Sequence, residues 1–107
     1  MTAQWSPHAS GLLADSLRAI ALKLYPEDAL RWQEDIDGCV MQLEDHPLSG
    51  TNIPPECFDT VPPNLDELRQ TFCRPYRIVY EVVGDEVHVL SIRHSRMLVT
   101  ETDTSWN

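Results

Sequence analysis

The chain has 107 residues, 42% of them hydrophobic and 23% charged, which is the composition of one soluble domain with one modest core. Eight basic side chains against 17 acidic ones give a net charge of −9 and a sequence pI near 4.6. That balance excludes general nucleic-acid affinity, which depends on neutralising phosphates with Lys and Arg, and the chain is not expected to bind DNA sequences on its own. No apolar run approaches the roughly 20 residues of a membrane span. The N-terminus MTAQWSPHAS lacks a basic stretch followed by an apolar core, so export is not expected and a cytoplasmic location is.

In chain order, Thr2–Trp5 reads as a short first strand. Ser6-Pro7 then starts a helix, with Ser as N-cap and Pro where a missing N–H costs nothing. Leu13, Leu17, Ile20 and Leu24 recur at spacings of three and four, giving one apolar face as far as about Leu24. Tyr25-Pro26-Glu27-Asp28 restarts the helical signal, with two acids placed to suit the helix dipole. Ala29, Trp32, Ile36, Val40 and Leu43 mark its apolar face. The short link predicts an antiparallel helical hairpin, ending near Asp45 because His46 precedes Pro47.

Between Pro47 and Asn64 lie five of the eight prolines, a loop within one domain. Strands are predicted over Leu68–Cys73, Tyr76–Val83 and Glu86–Arg93, the last two joined by a tight Gly84-Asp85 turn. Residues 97–107 read as a frayed or partner-dependent tail, so the domain core is about 2–96 of a single unit spanning 1–107. The fold class is α+β: an N-terminal helical hairpin packed on a small antiparallel sheet. Leu13, Leu17, Ile20, Ile36, Val40, Leu43, Ile78 and Tyr80 are the expected core, with Trp5, Trp32 and Phe72 also placed inside.

Charge is uneven along the chain. Residues 1–64 carry three basic and ten acidic side chains, whereas residues 65–96 carry five of each, all the basic ones arginine. Arg69, Arg77, Arg93 and Arg96 near His94 are what a local anion site needs, and equally what a solvated sheet face paired to Glu67, Glu81 or Glu86 looks like. His8, His46 and His88 read as surface or edge residues. Cys39, Cys57 and Cys73 show no CxxC or CxxH spacing and read as free thiols, with no metal or cofactor expected.

Several segments together resemble the RelE/ParE superfamily of type II toxin–antitoxin toxins, in its ParE-like branch. Trp5-Ser6-Pro7 with Ala9 resembles the opening of the first helix. Pro26, Ala29, Ile36, Val40 and Leu43, followed by Pro47 and Gly50, resemble the second helix and its exit. Glu67-Leu68-Arg69, Pro75 to Tyr80, Gly84-Asp85, and Val87 through His94 and Arg96 resemble the C-terminal meander. The resemblance covers about Trp5 to Arg96.

It implies a small cytoplasmic bacterial toxin, of the kind linked to plasmid stabilisation and growth inhibition, neutralised by a cognate antitoxin wrapped over its groove and sheet. It also implies one of two targets: ParE-like members poison DNA gyrase by binding, and RelE-like members cleave mRNA on the ribosome. The nuclease reading assigns Arg69, Arg77 and Arg96 to phosphate and His94 to general base. The second strand lysine of the nucleases is absent, with Thr71 nearby, and no tyrosine follows Tyr80. The expectation is therefore a binding toxin rather than an enzyme, contacting its target through Arg77, Arg93, Arg96 and Met97. A degenerate member that binds a partner without toxicity is the third reading.

Overall fold

A computed structural model describes residues 1–106. Strand β1 (Thr2–Trp5) leads into helices α1 (Pro7–Lys23) and α2 (Pro26–Asp45), linked by Leu24-Tyr25 alone. Strands β2 (Thr51–Asn52), β3 (Arg69–Cys73), β4 (Tyr76–Val83) and β5 (Glu86–His94) follow, with a final 3-10 turn at Glu101–Asp103. The sheet order is β1-β5-β4-β3-β2. The meander β3–β5 is antiparallel as expected; β2, from the stretch read as loop, adds an antiparallel strand beside β3, and β1 lies parallel to β5, so the five-stranded sheet is mixed.

The helix starts form where sequence chemistry places them. The Ser6 hydroxyl accepts the Ala9 amide at 3.0 Å and donates to the Leu90 carbonyl at 3.2 Å, while the Ser6 amide donates to Val89 O at 2.9 Å. One buried residue thus ends β1, caps α1 and ties both to β5, which explains the parallel pairing: the free edge of β5 needs a strand, and β1 supplies it. At α2, the Asp28 carboxylate accepts the Tyr25 amide at 3.2 Å. Gly84 turns the β4–β5 hairpin with φ of +61°, a conformation that favours glycine.

Side chains alternate across the sheet and fill two clusters. On the helix face, Ile36, Val40 and Leu43 of α2 and Ala9 of α1 pack on Ile78, Tyr80, Val87, Val89 and Ile92. On the other face, Ile53, Phe58 and Leu68 from the loop, and Val99 from the C-terminal segment, pack on Val79 and Leu90. The register shift at Val79/Tyr80 leaves Leu90 as the extra residue of β5 and resets its alternation, so Val89 and Ile92, three residues apart, both face the helices while Leu90 enters the other cluster.

Three expectations change. The segment after residue 96 is docked: Val99, Asp103 and Thr104 are buried, and the Phe58–Val99 bridge joins it to the loop. Leu13, Leu17 and Ile20 are only half-buried and Leu24 is 60% exposed, because the sheet lies mainly beneath α2 and the first turns of α1. Phe72 is exposed, on the face away from the helices, with the Arg77 guanidinium carbon 5.6 Å from its ring centre.

Candidate interaction surface

The strand register separates the arginines that the sequence groups together. Arg69 pairs with Tyr80, Arg77 with Arg93, and Tyr76 with His94. Tyr80 faces the helices and Arg77 lies three residues away, pointing to the opposite face. Arg69 and His94 therefore share the helix side but flank β4 at positions four residues apart, on the order of 13 Å along the strand. Arg77 is behind the sheet from both. The set Arg69, Arg77, His94 and Arg96 does not converge on one point.

Arg77 is buried, and its donors are committed internally. Nε donates to Gln70 Oε1 at 2.9 Å, one terminal nitrogen to the Met97 carbonyl at 3.1 Å, and the other approaches Cys57 Sγ at 3.8 Å. None of these partners is the glutamate expected from sequence. Arg93 donates from Nε to both oxygens of Asp103 at 2.9 Å. The Asp103 carboxylate is fully buried and also receives His8 Nε2 and Ser91 Oγ, each at 2.8 Å, and the Thr100 amide and hydroxyl. Burial pushes the Asp103 carboxyl up, but Arg93, then the Thr100 amide, His8 and Ser91 outweigh it and leave the group below the usual carboxylate range. His8, expected at the surface, is instead part of this anchor. Nothing in its local sequence signals that role, since Asp103 is 95 residues away.

What remains outward is at one end of the molecule. Tyr76 packs against Trp32 with ring centres 4.7 Å apart and against His94 edge-on at 6.0 Å. His94 Nδ1 accepts the Arg96 amide at 3.2 Å. Tyr76 also lines a groove of about 380 Å³ with Ser16, Ala19, Ile20, Lys23 and Leu24. Beyond His94, the Arg96 side chain is exposed, and Met97 and Leu98 are half-exposed, held by the Arg77 bond to the Met97 carbonyl. The result is an aromatic row flanked by apolar side chains and the exposed Arg96, which suits protein contact.

Among the described residues no three His, Cys, Asp or Glu side chains are grouped to hold a metal ion, and no helix is long and apolar enough to cross a membrane.

A family model of the ParE toxin of type II toxin–antitoxin system, parDE, matches residues 3–99. The chain is also similar in structure to the chromosomal ParDE TA system from P. aeruginosa, with a TM-score of 0.68 and 22% identity over 88% of this chain and 95% of that one. At that identity the likeness shows a shared fold. No curated protein sequence matches the chain.

Proposed function

The chain belongs to the ParE toxin family of type II toxin–antitoxin systems, and from that premise we propose that it inhibits growth by binding a protein target, DNA gyrase, in the cytoplasm. A cognate antitoxin neutralises it. The observation that carries the binding reading is the dispersal of the nuclease set. The side chains of Arg77 and His94 lie on opposite faces of the sheet, and the Arg77 donors are spent on Gln70, Met97 and Cys57. Phosphate stabilisation needs such donors aimed at one point.

The four residues expected at the target contact then divide by role. Arg96 and Met97 touch the target, beside the aromatic row of Tyr76 and His94. Arg77 and Arg93 hold the contact segment from behind, through the Met97 carbonyl and Asp103. The antitoxin's part is supported by exposed Leu22, Leu24, Tyr25 and Leu30 around the hairpin tip. A net charge of −9 favours a basic, apolar antitoxin segment there.

The test compares wild type with His94→Ala and Arg96→Ala, reading growth inhibition, gyrase supercoiling and cleavage of ribosome-bound mRNA. Wild type should inhibit supercoiling and leave mRNA intact. His94→Ala should retain most toxicity, and Arg96→Ala should lose it. Site-specific mRNA cleavage that vanishes in His94→Ala would overturn the binding reading in favour of the ribosome-dependent nuclease.

A further inference from the structure

Two of the three thiols meet across the α2–β3 boundary. Cys73 is buried at the end of β3, and its Sγ–H donates to the backbone carbonyl of Asp35 at 3.4 Å. In an α-helix that same carbonyl accepts the amide of the residue four positions on, which is Cys39. Side chains on a helix lean toward its N-terminus, so the Cys39 side chain lies over the turn that Cys73 touches. Both thiols belong to the helix-face packing, and both line one cleft with Gly38, Gln42, Phe72 and Arg74. A methyl group added at Gly38 would meet nothing within 4 Å, so the approach beside Cys39 is open.

Cys57, the third thiol, packs with the loop cluster on the other side of the sheet, next to Arg77. The sheet thus separates one thiol from the other two.

We infer that Cys39 and Cys73 are a redox modification site, closing to a disulfide between α2 and β3 when a small-molecule disulfide of the glutathione type enters this cleft. The inference rests on the thiol geometry and not on the toxin reading. Cys39 is the half-buried member and reacts first. Its thiolate attacks one sulfur of the small disulfide, forming a mixed disulfide and releasing one glutathione thiolate, which takes up the proton Cys39 gave to solvent. Cys73 then loses its proton and attacks the Cys39 sulfur, and the second glutathione leaves as a thiol. The protein gives up two hydrogens and two electrons, and the small disulfide receives them.

The order follows from the surroundings. Burial first, then the hydrogen bond and charge of Cys39, and lastly the charge of Asp35, push the Cys73 thiol up to about 12. Cys73 is therefore a poor first attacker. Once Cys39 is a mixed disulfide its hydrogen bond and charge no longer oppose ionisation of Cys73, and burial remains as the main opposition to the second step.

The test uses the reduced full chain in graded mixtures of oxidised and reduced glutathione, quenched by alkylation and read by intact mass and peptide mapping. The expected product is lighter by two hydrogens, keeps one alkylatable thiol at Cys57, and yields one linked peptide pair, Cys39 to Cys73. Cys73→Ser should stop at a glutathione adduct on Cys39, and Cys39→Ser should give neither bridge nor adduct at Cys73. A persistent adduct on Cys39 in wild type, a bridge to Cys57, or alkylation of Cys73 ahead of Cys39 would each overturn the inference. These readings on the wild-type chain decide it even if a variant fails to fold.

Discussion

The two faces of the sheet are covered in different ways. The helix face is closed by regular structure, with Ile36, Val40 and Leu43 of α2 repeating at helical spacing over Ile78, Tyr80 and Val89. The opposite face is closed by irregular chain, with Ile53, Phe58 and Val99 as a small apolar patch and the Asp103 carboxylate as a polar anchor beside it. One face is held by burial of area, which is non-directional and tolerant. The other depends on named donors meeting one carboxylate, which is directional and fails when a single partner is lost. Neighbouring residues of β4, Ile78 and Val79, serve the two schemes.

The sharpest way to break this contrast is to remove one side chain from each face. Ile36→Ala should cost the most, about 4 kcal/mol, since a fully buried isoleucine loses its transfer energy and leaves a cavity. Urea unfolding of this variant should remain a single cooperative transition at a lower midpoint, because Ile36 belongs to the one cluster that joins both helices to the sheet. A loss confined to one region would contradict the assignment of α2 as the main support.

Asp103→Asn should cost about 3 kcal/mol by leaving Arg93 and its companion donors without their charge. The loss should be local first, so hydrogen exchange at Val99 and Thr104 should rise before exchange in β4 does. The same residue should contribute to the acid limb of stability. Its folded pKa lies below the unfolded value, so its contribution is present above about pH 4 and lost as pH falls through the folded value. Wild type should lose stability across that window more steeply than Asp103→Asn. Parallel curves would show that the carboxylate does not carry the acid limb.

Tyr80 plays the corresponding part on the helix face, at the other end of the pH scale. Its hydroxyl donates to the Pro47 carbonyl at 2.8 Å and accepts the Gly50 amide at 3.0 Å. Burial, against the lowering influence of the Gly50 amide and Arg69, holds the phenol above its usual range. Its contribution is therefore full below about pH 10 and lost as pH rises through the folded value. Tyr80→Phe should cost about 1–2 kcal/mol at neutral pH, through the orphaned Gly50 amide and Pro47 carbonyl. It should also flatten the alkaline limb of a stability-versus-pH curve, and an unchanged limb would point to another group.

The smallest expected effect on stability is Arg96→Ala, within about 0.5 kcal/mol, since the side chain is exposed. A larger shift in thermal unfolding would mean that Arg96 supports the fold and is a poor candidate for target contact.

The same contrast explains what could be read from the residues alone. Ser6-Pro7 and Tyr25-Pro26 located both helix starts, Pro47 bounded the exit of α2, and Gly84-Asp85 located the hairpin, because each signal lies within a few residues of what it controls. The core of α2 followed from its period. The half-burial of Leu13, Leu17 and Ile20 did not, since period identifies an apolar face but not whether a sheet extends far enough to cover it. The docked C-terminal segment was illegible for a related reason. Asp103 finds its partners 95, 12 and 10 residues away, and no periodicity encodes such a meeting. Arginines on strands suggested an anion site, and only the register showed Arg77 turned to the far face. The aromatic row of Trp32, Tyr76 and His94 comes from three elements and had no local signature.

The bond from Ser6 to the Leu90 carbonyl has a consequence for synthesis on the ribosome. The two residues are 84 positions apart, and everything between them is made first. A nascent chain can coil α1 and α2 while it emerges, yet β1 has no strand to lie beside and Ser6 no carbonyl to bond until β5 follows. The helix face therefore stays uncovered through most of translation. A partner that recognises the closed sheet meets it only after the chain has been translated through β5.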